Sequence, residues 1–320
     1  MQVHYQACAL LETLPPQLTK PMSSDLIKKA CCKGAIMAKD LTINMAQVSH
    51  ALNELHESWR SQTWAGLPTV VGNCLSTLGY THAWAQQQRG VVSRFMNALH
   101  TLAEDVECIG LDMQERGVEP AYHHRKHMAQ VVTSMTALLL ARRNNNTLNN
   151  QQMCQELSLV VCALGHDVLH DGQRNKSRRE AEIRSASYVT SMMKVAGLGT
   201  YWRTRVATII ELTDPVDSVT NHAVHAVRAN NRDLKDLMVC CVLTNEADIL
   251  ASTLPDLGAG LTEELAAEWD QYYPKESQGL RSNDGRIFFL KQLALFSSTA
   301  SHRLGLPAIR HQQLVALGAA

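Results

Sequence analysis

The chain has 320 residues, of which 45% are hydrophobic and 19% are charged, and its 30 basic and 30 acidic side chains cancel. This composition is too apolar for a disordered chain, and the balanced charge gives no net field that would attract nucleic acid or an anionic membrane. A chain of this length can bury a large core, as one domain or as two modest ones.

Hydrophobic periodicity predicts an all-α protein, because the alternating pattern of strands is hard to find. The first predicted helix covers residues 24–60 and starts at Ser23-Ser24-Asp25, which is a plausible N-cap. A turn is predicted at Gly66–Pro68. We expect residues 1–80 to form a helical N-terminal region that acts as a cap or as a homodimer contact, and residues 81–320 to form the main domain.

The other predicted helices are separated by Gly, Pro and polar loops. A long amphipathic helix is expected from Trp84 to Arg116, and another from Tyr122 through Leu139. A largely apolar, buried helix is expected over residues 150–167. Further helices are predicted at 179–196, 200–213, 217–229, 233–253, 262–271 and 284–304, with loops at 142–147, 171–178 and 255–260 and a stop at 305–307.

The cysteines and the N-terminus predict the compartment. Nine scattered cysteines, none in a C-x-x-C pair, are typical of free thiols in a reducing environment. The N-terminus lacks the basic and apolar segments of a secretory signal, and the longest apolar stretch is far shorter than the roughly 20 residues of a membrane span. We expect a cytoplasmic protein with no membrane partner; export by a system that needs no signal peptide stays open.

Two pairs of histidines, each spaced by four residues, carry the main functional signal. They are His123/His127 and His166/His170, and Asp167 follows His166 directly. On a helix, each pair would place two imidazoles on one face. Imidazole and carboxylate together form a ligand set for zinc, iron, manganese or magnesium. The pattern therefore predicts metal-assisted hydrolysis.

A further carboxylate is needed to complete such a site. Asp248 lies on a mostly apolar predicted helix, where a buried carboxylate is costly unless it is paired or binds a metal. Glu246 on the same segment is the alternative. Asp167 has two oxygens and can bridge two ions, which lie about 3.5–4 Å apart in two-metal hydrolases.

The order His127, His166-Asp167, Asp248 resembles the H…HD…D pattern of the HD-domain metal-dependent phosphohydrolases. Residues 122–127 (YHHRKH) and 166–175 (HDVLHDGQRN) are similar to the two histidine motifs of class I 3′,5′-cyclic nucleotide phosphodiesterases. Residues 284–298 are more similar to divergent bacterial members. The resemblance covers residues 90–260 and implies a helical HD-domain fold, with the catalytic domain at 81–320.

The resemblance also implies ligands and roles. His127, His166, Asp167 and Asp248 would hold a first metal, zinc or else iron or manganese, and Asp167 would bridge to a second, magnesium or manganese. His123 would be the general acid that protonates the leaving O3′, oriented by Glu182 or alternatively Glu180. His170 would hydrogen-bond to nearby water. The candidate substrate residues are Asn175, His222, Gln278 and Phe288, with Gln292 as a second candidate for a purine-binding glutamine.

The implied reaction is hydrolysis of a 3′,5′-cyclic nucleotide to its 5′-monophosphate by a metal-bridging hydroxide. We expect cAMP first and cGMP as an alternative, and no nucleic-acid partner. Two other hypotheses stay open: an HD-type phosphohydrolase that acts on (p)ppGpp, a deoxynucleotide or a cyclic dinucleotide, and a non-catalytic effector that binds a nucleotide.

Overall fold

The computed structural model describes residues 43–143, 148–227 and 233–320. Within these ranges every regular element is helical, as the sequence predicted. The α-helices are α1 (Met45–Arg60), α2 (Leu67–Thr77), α3 (His82–Ala85), α4 (Val91–Glu115), α5 (Arg125–Arg142), α6 (Asn150–Gly165), α7 (Glu180–Val195), α8 (Thr200–Glu211), α9 (Pro215–Val227), α10 (Leu237–Thr253), α11 (Pro255–Trp269), α12 (Pro274–Leu280), α13 (Asn283–Phe288), α14 (Thr299–Leu304) and α15 (Leu306–Ala316). A short π-helix, Phe289–Leu293, follows α13.

Side-chain caps define several of the helix starts. Asn44 and Gln47 form a reciprocal capping box at α1, and Asn149 and Gln152 form another at α6. The Asp236 side chain accepts from the Met238 N–H at the start of α10. Each cap satisfies backbone donors that the helix itself cannot pair, so these polar residues fix where the helices begin.

Helix α5 lies at the centre of the described fold. It packs against α1, α2, α6, α10 and α14, and almost all of its side chains are buried. Helices α6 and α10 are also buried over most of their length. Several polar side chains on these three helices are therefore buried, among them Lys126, Gln155 and Glu246.

Helices α1 and α2 belong to the expected N-terminal region. They pack against α5, and α2 also packs against α4. The expected helix start near residue 24 lies outside the described residues. Among the described residues no single helix is both long and apolar enough to span a membrane; α10 and α11 together, bent by 97° where they meet, pass that test by length and composition.

Three segments that the sequence predicted to be a turn, a loop and the end of a helix are the starts of helices in the structure. Helices α2, α11 and α15 each begin with a proline in the first turn. A proline there removes an N–H that has no helical partner anyway, and its fixed φ suits the helix. The helix predicted at 262–271 therefore begins at Pro255. The expected helices at 179–196, 200–213, 217–229 and 233–253 are found as α7 to α10. The ends of α7 and α8 and the starts of α9 and α10 are shifted, and the expected end at 229 lies outside the described residues.

Two long predicted helices are broken. The stretch 84–116 divides into α3 and α4, with Gly90 at φ +71° before α4, a backbone conformation that favours glycine. The stretch 284–304 divides into α13, the π-helix and α14. The Glu246 carboxylate accepts hydrogen bonds from the N–H groups of Ser297 and Ser298, and so holds the chain outside a helix at this point.

The four-residue spacing predicted that each histidine pair would lie on one face of a helix, but neither pair lies wholly within a helix. Helix α5 begins at Arg125 rather than at Tyr122, and α6 ends at Gly165 rather than at Asp167. Of the four histidines only His127 lies within a helix, so the expected helical faces do not group the imidazoles.

Candidate metal centre

Four side chains that the sequence singles out meet between α5, α6 and α10. His127 lies in the first turn of α5, His166 caps the C-terminal end of α6, Asp167 follows it, and Asp248 lies in α10. One ligand atom from each side chain lies within 4.8 Å of all the others, and the two imidazoles are buried. The expected ligand set is therefore assembled in the structure and could hold a metal ion.

The spacing of these atoms fits a coordination sphere. The two Nε2 atoms of His127 and His166 are 3.3 Å apart. His127 Nε2 lies 3.1 Å from Asp248 Oδ1, and His166 Nε2 lies 3.0 Å from Asp167 Oδ2. Ligands at about 2.1 Å from an ion are about 3.0 Å apart in an octahedron and about 3.4 Å apart in a tetrahedron. The donor set of two imidazoles and two carboxylates suits zinc, iron or manganese.

The charges of this cluster favour a cation. Burial opposes a charge on His166, but the carboxylates of Asp167 and Asp248 raise its pKa well above the usual value. Burial also opposes ionisation of the two aspartates, yet contacts with His166 and His127 hold the pKa of each carboxyl well below its usual range. A metal ion would balance the two carboxylates and leave both imidazoles neutral, as ligation requires.

A backbone carbonyl on the side of the ring away from the cluster fixes the orientation of His166. Its Nδ1 lies 3.2 Å from the carbonyl oxygen of Ala163. A carbonyl only accepts, so Nδ1 is assigned as the donor. The lone pair of the neutral ring is then on Nε2, which faces the cluster. This arrangement is the usual way in which a protein fixes a ligating histidine.

A second cluster lies beside the first and consists of His123, His170 and Glu268. The rings of His123 and His170 stack with centroids 3.7 Å apart and planes inclined by 24°. His123 Nδ1 donates to Glu268 Oε1 at 2.6 Å. Glu268 Oε2 accepts from the backbone N–H groups of Tyr122 at 2.8 Å and His123 at 3.0 Å. One carboxylate thus fixes both the backbone and the imidazole of His123.

The surroundings of the two stacked histidines shift their pKa values in opposite directions. Burial opposes a charge on His123, but the Glu268 carboxylate raises its pKa. Burial also opposes ionisation of Glu268, but the interaction with His123 outweighs this effect and holds the pKa of that carboxyl at about 2. Burial and the neighbouring His123 lower the pKa of His170 to about 4. The pKa of His123 is therefore raised while that of His170 is lowered, so His123 keeps its proton to higher pH than His170 does.

The stacked pair is poorly arranged to share a metal ion. A ligating imidazole holds an ion near the plane of its ring, and two stacked rings with centroids 3.7 Å apart and planes inclined by only 24° do not direct their nitrogens at one point within bonding distance. In addition, His170 Nδ1 accepts the N–H of Gly172 at 3.0 Å, which places the proton of the neutral ring on Nε2. This cluster therefore suits proton transfer better than metal binding.

Glu268 replaces Glu182 as the partner of His123. Glu182 instead accepts a hydrogen bond from Asn175 Nδ2 at 2.8 Å, and burial raises the pKa of its carboxyl. Glu180, the alternative, accepts the N–H of Lys176. No sequence signal identifies Glu268, because it lies in an acidic stretch of α11 and is 145 residues away from His123.

The candidate substrate residues are scattered. Asn175 bonds to Glu182 and lies 3.4 Å from Asp214 Oδ2. His222 is buried, and its Nδ1 is 2.8 Å from Ser297 Oγ. Phe288 is 58% exposed, and Gln278 and Gln292 are also exposed rather than among the buried residues of the clusters. Glu246, the alternative to Asp248, is used to bind the Ser297–Ser298 backbone.

Comparison with known proteins adds no family to this description: no protein-family model and no curated protein matches the chain. Fold and site by themselves define an all-α protein with a buried cluster of two histidines and two aspartates, and with a histidine–glutamate pair beside it.

Proposed function

We propose that the chain is an HD-domain type, metal-dependent phosphodiesterase that hydrolyses 3′,5′-cyclic nucleotides to 5′-monophosphates in the cytoplasm. The observation that carries the proposal is the meeting of His127, His166, Asp167 and Asp248 next to a histidine whose Nδ1 is held by a carboxylate. A ligand cluster alone is compatible with simple metal binding, and the adjacent acid–base pair favours catalysis.

His127, His166, Asp167 and Asp248 would hold the first cation, for which zinc, iron or manganese fits the donor set. Asp167 has a second carboxylate oxygen and is the candidate to contact a second cation, magnesium or manganese. When bound, such cations lower the pKa of water toward neutrality and offset the negative charge of a phosphodiester.

His123 is suited to act as the general acid. Its Nδ1–H is bound by Glu268, so Nε2 carries the proton that can be given away. In the proposed reaction the water oxygen bonds to phosphorus, the P–O3′ bond breaks, and O3′ takes the proton from His123. The attacking water loses one proton to solvent, and His123 regains one from solvent, so one water is consumed for each bond cleaved. An alkoxide leaves poorly without a proton, which is why this position needs an acid.

Glu268 and His170 support this acid from two sides. The Glu268 carboxylate raises the pKa of His123 and so favours its protonated form. The neutral ring of His170 stacks on His123 and limits its rotation. Both contacts restrict where the proton can be delivered, and such restriction is a main source of catalytic rate.

The test is hydrolysis by purified protein supplied with Mn²⁺, using cAMP, cGMP, a cyclic dinucleotide, (p)ppGpp and a deoxynucleoside triphosphate. We expect a cyclic mononucleotide to be converted to its 5′-monophosphate, and Asp167→Asn to abolish this. Asp171→Asn is the matched control, because that aspartate is exposed and pairs with Arg184. Turnover of a different nucleotide would refute the substrate class, and binding without turnover would refute the enzyme.

A further inference from the structure

A buried lysine next to the metal ligand His127 is not used by the chemistry above. The side chain of Lys126 is fully buried, and its Nζ donates to both carboxylate oxygens of Glu264 in α11, with the Oε2 contact at 2.6 Å. Nζ also lies 3.4 Å from His56 Nδ1 in α1. One ammonium group thus joins α1, α5 and α11.

Lys126 is fully buried, whereas the Glu264 side chain is 25% exposed. A largely buried ion pair of this kind is weak as a source of stability, because desolvation offsets most of the attraction between the charges. Removing only one partner is costly, since the other charge stays buried. A role in fixing geometry explains the pair better than a role in net stability.

Glu264 and Glu268 are spaced by four residues on the same face of α11. This face also carries the buried residues Leu257 and Leu261, so the apolar stripe of the helix continues into two carboxylates that point inward. Glu264 binds Lys126, and Glu268 binds His123. Helix α11 is therefore attached at two points, one turn apart, to the segment that carries the proposed acid and a metal ligand.

Outside these two attachments α11 packs along α10 and α12. A shift of α11 along or away from α5 would change the distance between Glu268 and His123, which is 2.6 Å between Oε1 and Nδ1. The Lys126–Glu264 pair restrains such a shift one turn before Glu268. Because His123 precedes the first residue of α5, its backbone is also held by Glu268 rather than by helical hydrogen bonds.

We propose that Lys126 and Glu264 are positioning residues for the acid His123, acting through α11 and Glu268. This inference rests on the proposed phosphodiesterase function. The ion pair would affect catalysis although it touches neither substrate nor metal.

The experiment compares two phosphodiesters that differ in their need for an acid. The 3′-oxygen of cAMP requires a proton to leave, whereas p-nitrophenolate leaves from bis(p-nitrophenyl) phosphate as a stable anion. We expect Lys126→Met and Glu264→Gln to lower kcat on cAMP by about 10-fold or more, with KM little changed and kcat on the p-nitrophenyl ester kept within about twofold. Metal content and thermal midpoint are measured on the same full-length preparations.

The matched control is Glu263→Gln. Glu263 is the neighbour of Glu264 on α11, but it is 61% exposed and pairs with Arg281, so both activities should stay at the wild-type level. The double variant Lys126→Met/Glu264→Leu leaves no buried charge unpaired and provides a folded protein if a single variant is unstable. It should show the same selective loss on cAMP.

Equal losses on both esters would overturn the inference, because they would indicate general damage to the site. Unchanged turnover of cAMP in the double variant would overturn it as well. If the wild-type protein hydrolyses neither ester, or the p-nitrophenyl ester alone, then the proposed function itself fails and this inference falls with it.

Discussion

The imidazole of His123 stacks on that of His170, with ring centroids 3.7 Å apart. Each of these histidines has a sequence neighbour four residues away that lies instead in the metal cluster, where His127 and His166 approach to 3.3 Å between their Nε2 atoms. Each pair of neighbouring imidazoles in the structure therefore takes one histidine from each of the two sequence pairs. One cluster combines the candidate metal ligands, and the other combines the proposed acid His123 with His170.

The first prediction separates the two clusters by their metal content. His166→Ala removes a donor from the centre of the ligand set, so we expect the bound metal to be lost. His170→Ala should retain it, because that ring lies in the stacked pair. Elemental analysis after dialysis against a weak chelator measures both, and full occupancy in His166→Ala would contradict the ligand assignment.

The second prediction concerns the acid. His123→Gln should keep the metal and lose about 10²–10⁴-fold in kcat on cAMP, the usual contribution of general acid–base catalysis. Hydrolysis of bis(p-nitrophenyl) phosphate should be largely spared, because its leaving group needs no proton. A parallel loss on both substrates would show that His123 does something other than protonate the leaving oxygen.

The third prediction is a change in the pH profile. In the proposed mechanism His123 must be protonated to act, so activity should fall as pH rises through its pKa, which the Glu268 carboxylate raises. Glu268→Gln removes that charge and lowers the pKa of His123. The alkaline limb of the kcat profile should therefore move to lower pH, and the maximum should decrease.

Glu276→Gln is the control for this profile, since Glu276 pairs with Arg174 at the surface. Its alkaline limb should coincide with that of the wild-type protein. A Glu268→Gln profile that keeps the wild-type alkaline limb would exclude Glu268 as the group that sets the pKa of His123.

The fourth prediction concerns stability and His124, whose ring packs on Trp59 with centroids 4.6 Å apart. Burial, with a contribution from Lys126, lowers the pKa of His124 from 6.5 to about 3. Below pH 6.5 the unfolded chain therefore binds a proton that the folded protein excludes, and the free energy of unfolding decreases as pH falls toward that lower pKa. His124→Asn should make urea midpoints less dependent on pH between 7 and about 4.

His50→Asn is the matched control, because His50 lies on the exposed side of α1 beside Glu54. It should leave the pH dependence of the urea midpoint unchanged. If His124→Asn shows the same slope as the wild-type protein, the buried ring does not exclude a proton in the folded state.

The sequence by itself indicated the all-α fold class and the four candidate metal ligands, although Glu246 stayed open as an alternative to Asp248 until the resemblance to the H…HD…D pattern was considered. Apolar residues at helical spacing predict helices wherever they are buried, and only a small set of side chains can bind a metal, so His127, His166, Asp167 and Asp248 are recognisable from residue type and order. Helix ends were less predictable. Proline suits both a loop and the first turn of a helix, so the prolines at the starts of α2, α11 and α15 do not show by themselves that a helix begins there.

Only the tertiary structure decided which histidines act together and which carboxylate serves His123. Local spacing paired His123 with His127, but His123 lies outside α5, and the packing of α5, α6 and α11 brings it to His170 and Glu268. The physical reason is that helix periodicity relates only residues on one element. The contact between His123 and Glu268 spans 145 residues and depends on how separate helices pack, which local pattern does not encode.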